Sequence, residues 1–161
     1  MLQFQLTYTI GDIINTSLLI LAIIGLSFTF YQIRQEYCIQ KATFFKELYL
    51  FLITEPEQKD AFYLILHGKF TFDECFHGTK QEKSVDSLLC FLDLICALHA
   101  QKMLTKQEMY FFEYCCRTTY MNRSMQKYFE YLRNAFQNTE TLTMPFIHFI
   151  SYCQRELRLP A

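Results

Sequence analysis

The sequence predicts an all-helical protein in which one N-terminal transmembrane helix continues into a helical-bundle domain. The first observation behind this prediction is a run of 21 residues, from 13 to 33, that contains no charged side chain. The second is a series of helix-start motifs, each followed by apolar residues at helical spacing. The third is that no stretch alternates apolar and polar residues around a turn pair such as Asn-Gly, which would indicate a sheet.

The uncharged run has the length and composition of a membrane span. A helix of this length rises about 30 Å, the thickness of the hydrocarbon core of a bilayer. A soluble core helix would carry a polar stripe, but between residues 18 and 31 only Ser27 and Thr29 interrupt the apolar run. No Lys or Arg precedes residue 34 and no small-residue cleavage site follows the run, which argues against a cleaved signal peptide. A buried core helix is the other alternative.

Charges on either side of the run predict its orientation. Asp12 is the only charged side chain before it, and three basic residues follow: Arg34, Lys41 and Lys46. Because basic residues are enriched on the inner side of a membrane, we expect the C-terminal part to lie in the cytoplasm. The seven cysteines are odd in number and lie mostly within apolar runs, which is typical of a reducing compartment. We therefore expect a membrane anchor over residues 1–34 and a cytoplasmic helical domain over residues 35–161.

Helix-start motifs divide the rest of the chain. No Gly or Pro lies between Tyr31 and Pro56, so the span is expected to run on as one helix to about residue 54. Asp12 is predicted to N-cap this first helix. Capping boxes are predicted at Thr54–Glu57, Thr71–Glu74 and Thr105–Glu108. The later helices are expected at 58–68, a short turn at 71–78, 80–102, from 105 onward, 122–137 and from Pro145 onward.

Sequence motifs for catalysis and metal binding are missing. The chain has no G-x-S-x-G, no P-loop, no G-x-G-x-x-G and no H-E-x-x-H. Cys96 and His99 lie three residues apart, as two zinc ligands on a helix would, but no second pair follows at the spacing of a zinc finger. We therefore predict no enzyme, no catalytic residues, no metal site and no cofactor.

Charge is distributed unevenly along the chain. The net charge of −1 gives no bulk attraction to nucleic acid, so DNA is not an expected partner. Residues 47–116 carry six Lys and no Arg against eleven acidic residues, and residues 117–161 carry five Arg and one Lys against three Glu. The basic part opens with the sequence RTTYMNRSMQK, residues 117–127.

This basic stretch is the predicted ligand site, with five candidate residues: Arg117, Tyr120, Asn122, Arg123 and Lys127. Guanidinium and ammonium groups bind phosphate, an aromatic ring stacks on a base, and an amide reads a base edge. A helix that starts at Asn122 would add free backbone N–H groups at its positive end. The alternative interpretation is a solvated helix face that binds nothing.

The order of features resembles a known family. A span that runs into FYQIRQE, followed by ATFFKEL at 42–48, LLCFLDLICALH at 88–99 and MLTKQEM at 103–109, is similar to small bacterial proteins with one membrane helix and a helical cytoplasmic domain. Some of these are accessory effectors of type III CRISPR systems, and in size and layout the chain resembles the membrane-anchored kind that binds cyclic tetra-adenylate. The similarity covers nearly the whole chain and rests on layout and apolar pattern.

The resemblance implies a bacterial inner-membrane protein that acts in antiviral defence. Its cytoplasmic domain would bind cyclic tetra-adenylate as a symmetric homotetramer and respond by perturbing the bilayer. Two alternatives from other classes remain open on the sequence alone. One is a membrane-tethered helical module that recruits a protein partner, and the other is a holin-like toxin that needs no ligand.

Overall fold

The computed structural model describes residues 9–73, 75–137 and 144–160, which contain six helices and no strand. This confirms the all-α fold class. The six helices are α1 (Ile10–Thr54), α2 (Pro56–Leu66), α3 (Lys80–Ala100), α4 (Lys106–Met121), α5 (Arg123–Gln137) and α6 (Ile147–Arg155).

Helix α1 is continuous over 45 residues and is long and apolar enough to cross a membrane. None of the residues in its most apolar window is buried, whereas the core helix of a soluble fold is mostly buried. In the uncharged run from 13 to 33, the hydroxyl groups of four residues each donate to the carbonyl oxygen four residues earlier, over 2.7–2.9 Å: Thr16, Ser17, Ser27 and Thr29. These bonds satisfy the hydroxyls inside the helix, as a water-free bilayer requires.

The start of α1 differs from the prediction. The helix begins at Ile10, so Asp12 lies in its first turn and the predicted N-cap at Asp12 is wrong. The residue before the helix is Thr9, whose backbone N and Oγ1 both donate to Asp12 Oδ2, at 2.9 and 2.6 Å. The carboxylate therefore acts from inside the first turn, where it also complements the positive end of the helix dipole.

The chain divides into two compact units, Met1–Glu47 and Leu48–Ala161. The predicted boundary after residue 34 marks the end of the apolar run, whereas the second unit begins at Leu48, inside α1. We call the second unit, Leu48–Ala161, the compact unit. Within it α3 packs against α2 and α6, and α4 contacts α2, α5 and α6. Five aliphatic side chains of α3 are fully enclosed: Val85, Leu88, Leu89, Leu92 and Ile95.

Helix termini show which local motifs form. Thr105 and Glu108 make the predicted capping box at the start of α4, with bonds in both directions. The box predicted at Thr54–Glu57 is wrong, because Thr54 is the last residue of α1 and its hydroxyl donates to the Leu50 carbonyl. Pro56 does open α2, as its fixed φ favours.

The segment between α2 and α3 contains no helix in its described residues, 67–73 and 75–79. The short helical turn predicted there is therefore wrong, and Glu74 of the predicted capping box lies outside the described residues. Thr79 instead caps α3, since its Oγ1 accepts from the Glu82 backbone N at 3.1 Å. Gly68 and Gly78 adopt φ of +65° and +77°, a conformation that glycine takes without strain.

Candidate functional site: a polar cleft along α4

One face of α4 carries four polar side chains in register. Lys106, Tyr110, Glu113 and Arg117 are spaced by four, three and four residues, so they lie above one another along the helix. This face forms one wall of a cleft of about 620 Å³. The cleft is completed by residues of α3, of α6 and just after α6: its full lining is His99, Lys106, Gln107, Tyr110, Glu113, Arg117, Tyr152, Glu156 and Leu157.

Arg117 is held in the cleft by an ion pair one turn earlier on α4. Its Nε donates to Glu113 Oε1 at 2.7 Å, and both side chains are partly exposed. Because an exposed i,i+4 pair contributes about 0.3–0.5 kcal/mol, Glu113 positions the guanidinium without locking it. The other four N–H donors of the guanidinium are not used in this pair.

His99, near the end of α3, is oriented by a backbone contact. Its Nδ1 lies 2.9 Å from the carbonyl oxygen of Leu104, and a carbonyl only accepts, so we assign the hydrogen to Nδ1. The Nε2 atom is then left to accept a hydrogen bond. The imidazole also meets the edge of the Tyr152 ring, with centroids 5.6 Å apart. Burial raises the pKa of Tyr152, which keeps its phenol neutral.

A second hollow of about 390 Å³ adjoins the first, and both share His99, Tyr152 and Glu156. The second hollow adds Lys102 and Arg155, together with His148. Taken together, the walls of the two hollows carry four Lys or Arg side chains against two Glu, which gives them a formal surplus of two positive charges. The surplus comes from Lys102 and Arg155 of the second hollow, because the larger cleft by itself carries two cations and two carboxylates.

The predicted site residues do not form one cluster. Arg117 lines the cleft, whereas Arg123 and Lys127 are exposed on α5 and line neither hollow. Arg123 and Lys127 are four residues apart and share a helix face, as predicted. Helix α4 ends at Met121 and α5 begins at Arg123, so Arg123 and Lys127 belong to a different helix from Arg117.

Tyr120 lies in the core of the compact unit. Its side chain is 2% exposed, its ring stacks on Phe129, and the edge of its ring meets Phe149 at a centroid distance of 6.2 Å. Its hydroxyl oxygen accepts a hydrogen bond from Gln154 Nε2 at 3.0 Å. The ring therefore has no open face on which a base could stack in this structure, and packing accounts for the residue.

Asn122 connects three elements. Its Oδ1 accepts from the backbone N of Ser124 and Met125, at 2.9 and 3.2 Å, and so caps α5. Its Nδ2 donates to the carbonyl of Ile65 at the end of α2, at 3.1 Å. Two of the backbone N–H groups that were expected to be free at this helix start are thus already satisfied, and the side-chain amide of Asn122 also links α5 to α2.

The cysteines near the cleft are buried thiols rather than reactive ones. Cys96, Cys116 and Cys153 come together where α3, α4 and α6 meet. A hydrogen bond with Cys116, added to burial, raises the pKa of Cys96, and burial raises the pKa of Cys153. Both shifts disfavour the thiolate that nucleophilic or metal chemistry requires. Among the described residues, no group of three or more His, Cys, Asp or Glu is arranged to hold a metal ion.

A separate groove of about 580 Å³ has a mainly apolar lining. It includes ring residues at the end of α1, on α2 and on α4, and three of them are 48–62% exposed: Tyr63, Phe111 and Tyr114. Lys59 is the only Lys, Arg, Asp or Glu in the lining. This groove shares no lining residue with the cleft along α4.

Sequence reasoning missed Lys106, Tyr110 and His99 as site residues. The spacing of Lys106, Tyr110, Glu113 and Arg117 was visible once the capping box fixed the start of α4. The contribution of α6 to the cleft could not be predicted from the sequence, because it depends on how α6 packs against α4.

No protein-family model matches the chain, and no curated protein or solved structure matches it. A function for this chain therefore has to be inferred from its own residues and their arrangement.

Proposed function

We propose that the protein is a membrane-anchored receptor for a cyclic oligoadenylate, with cyclic tetra-adenylate as the first ligand to test. The observation that carries the proposal is the combination, in one chain, of a helix able to cross a membrane with a compact unit whose two adjoining hollows carry four Lys or Arg side chains against two Glu. In this proposal the protein is an antiviral defence effector that binds its ligand without transforming it.

The proposed location is the bacterial inner membrane, with a single pass and the compact unit in the cytoplasm. Arg34, Lys41 and Lys46 follow the apolar run of α1, which favours this orientation. All seven cysteines are free, in keeping with a reducing compartment.

The chemistry of the cleft suits a nucleotide. Lys106 and Arg117 are donors for phosphate oxygens, and the exposed ring of Tyr110 is able to stack on a base. On α5, Arg123 and Lys127 add positive charge that attracts an anion at longer range. These side chains are better suited to bind an anionic aromatic ligand than a neutral one.

The proposed assembly is a homotetramer around the cyclic ligand. A cyclic oligoadenylate repeats one phosphate and one adenine, so a closed ring of identical protomers presents the same side chains to each unit. Because one helix runs from Ile10 to Thr54, a shift in the compact unit would be passed on to the span. The ligand drives such a shift only by binding one conformation more tightly than the other.

The test is a calorimetric titration of the full chain in lipid nanodiscs with cyclic tetra-adenylate. ATP serves as a control for general anion binding, and empty nanodiscs as a control for lipid effects. Saturable binding of cyclic tetra-adenylate that is at least tenfold tighter than that of ATP supports the proposal. Equal affinities, or no heat with either ligand, would refute it.

The apolar groove favours a second candidate function, a membrane-tethered module that recruits a protein partner. Its exposed rings Tyr63, Phe111 and Tyr114 are the residue type that is enriched at protein interfaces. Under this alternative, Phe111→Ala abolishes co-purification of a partner with the full chain, whereas Arg117→Glu does not. If the protein is instead a nucleotide receptor, Arg117→Glu abolishes nucleotide binding, whereas Phe111→Ala does not.

A further inference from the structure

We infer that the apolar groove between the end of α1, α2 and α4 binds an amphiphile with one aliphatic chain and one carboxylate head. The inference goes beyond the proposed receptor function and does not depend on it, because the groove shares no lining residue with the cleft along α4. It also gives the groove a different occupant from the protein partner of the second candidate function. Three apolar helix faces and one charged side chain carry it.

Each of the three helices turns one face toward the groove. The lining residues within each helix are spaced by one, three or four positions, which places them on a single side of that helix. On α2 this side begins with Lys59, continues through Phe62 and Tyr63, and ends at Leu66. The groove therefore follows α2 for about 10 Å.

Edge-to-face ring contacts join the walls of the groove. Phe111 on α4 meets Tyr49 on α1 with ring centroids 6.4 Å apart, and Tyr114 on α4 meets Phe62 on α2 at 6.2 Å. The enclosed space of about 580 Å³ has the size of a small-molecule site, and such sites are lined mainly by apolar and aromatic side chains with few polar groups. Because Phe111 and Tyr114 are 58% and 62% exposed, an aliphatic chain in the groove would remove apolar ring surface from water.

Lys59 supplies the charge of the groove lining. The other polar side-chain atoms of the lining are three phenol hydroxyls and the thiol of Cys115, whose pKa is raised by burial, so they are neutral at neutral pH. The carboxylates nearest in sequence, those of Glu55, Glu57 and Asp60, do not line the groove. Within the described part of the chain Lys59 forms no ion pair, so its ammonium is left to bind one singly charged anionic head.

The position of Lys59 sets the direction of the ligand. Lys59 is the fourth residue of α2 and Leu66 is its last, so the cation lies at one end of the groove. Side chains on a helix lean toward its N-terminus, which turns the ammonium away from Leu66. A carboxylate bound at Lys59 would therefore send its chain along Phe62 and Tyr63 toward Leu66. This length suits a medium-chain carboxylate such as decanoate.

The experiment compares two photoreactive probes on the full chain in phosphatidylcholine nanodiscs: decanoate and decylamine, each with a diazirine at the far end of its chain. Labelled residues are mapped by tandem mass spectrometry, and uptake of each probe by empty nanodiscs corrects for partition into lipid. We expect the decanoate probe to label the groove near Leu66 about fivefold more than the decylamine probe, because Lys59 attracts the one head and repels the other. An excess of plain decanoate should suppress this labelling.

Variants of Lys59 test the role of the charge. Lys59→Gln should remove the preference for decanoate, and Lys59→Glu should reverse it in favour of decylamine, because the charge at the end of the groove changes sign. Phe111→Ala removes part of the apolar wall and should reduce labelling by both probes severalfold. Lys83→Gln, at an exposed lysine of α3 outside the groove, is the matched control and should change nothing.

Three results would overturn the inference: no labelling of the groove, equal labelling by the two probes in the wild type, or a preference for decanoate that persists in Lys59→Glu. Absence of labelling together with a protein partner that Phe111→Ala releases would assign the groove to that partner instead. Lys59 and Phe111 are exposed, and unchanged thermal unfolding of the variants verifies that the fold is retained. Neither Lys59 nor Phe111 lines the cleft along α4, so a loss of amphiphile binding leaves the receptor proposal standing, and a failure to bind cyclic tetra-adenylate leaves this inference standing.

Discussion

Two helices of this protein are similarly rich in apolar residues but place them in opposite surroundings. In α3, eight residues are buried, and charged residues such as Lys83 are kept on the exposed side. In α1, no residue is buried, and the run from 13 to 33 has no charged side at all. A helix with a polar side can pack against a protein core and face water, whereas a helix that is apolar all round needs an apolar solvent. Apolar content alone does not separate the two, but its arrangement around the helix does.

If α3 lies in a protein core and α1 does not, truncating a leucine should lower the free energy of unfolding much more in α3 than in α1. Leu92 of α3 is fully enclosed, so Leu92→Ala should lower the free energy of unfolding of the compact unit by about 2–5 kcal/mol. Leu21 of α1 is 64% exposed, and Leu21→Ala should change it by less than about 0.5 kcal/mol. Urea denaturation in detergent, followed by tyrosine fluorescence, measures both, since the chain has eleven Tyr and no Trp. Equal destabilisation would mean that α1 is part of a soluble core.

A charge introduced into α1 tests whether its apolar run needs a lipid environment. Ile23 lies at the centre of the apolar run, and Ile23→Arg should cost about 2.5–3.5 kcal/mol of membrane insertion. The fraction of protein that stays in membranes after a carbonate wash should fall accordingly. Ile39→Arg, on the same helix but beyond the run, is the matched control and should leave this fraction unchanged. Loss of the membrane fraction in both variants would point to a general effect of charge on α1.

The smallest expected effect concerns two carboxylates on the polar side of α3. Burial raises the pKa of Asp86, which accepts a bond from Tyr128 Oη at 2.8 Å. A raised pKa means that folding disfavours the ionised form, so stability from this site is present at low pH and falls as pH rises through the folded pKa. Asp86→Asn keeps an acceptor without the charge and should raise Tm slightly at pH 7 but not at pH 3.

Glu82, one turn earlier, should show the opposite sign. Hydrogen bonds from His77 and from the Gly78 backbone N lower the pKa of Glu82, so its ionised form stabilises the fold. That contribution is present above the unfolded pKa and is lost as pH falls through the folded pKa. Glu82→Gln should therefore lower Tm at pH 7 and have little effect at pH 3. Thermal unfolding at the two pH values tests the pair, and shifts of the same sign in both variants would contradict these assignments.

Local patterns predicted the helices well. The capping box at Thr105 and Glu108 formed as predicted, because all its bonds lie within four residues. The box at Thr54 did not form, because α1 continues to that residue and its hydroxyl bonds back to Leu50. Pattern alone does not tell whether a Thr ends one helix or starts the next.

The candidate site was predictable only in part. Arg117 was identified from its charge, but Tyr120, three residues later, faces Phe149 on α6 and is buried. The packing of α6 decides which side of α4 faces the core. This contact is between residues far apart in sequence, so the local sequence does not predict it. Clustering of charges within eleven residues of sequence therefore did not mean clustering in space.

The proposal that α1 spans a membrane, with the compact unit on the cytoplasmic side, can be tested in cells. Its most direct test is labelling of the full chain in bacterial spheroplasts with a membrane-impermeant maleimide, which reacts with the exposed thiols of Cys38, Cys75 and Cys90. We expect the protein to remain in the carbonate-washed membrane pellet and to be labelled only after lysis. Recovery in the soluble fraction, or labelling of intact spheroplasts, would contradict the account.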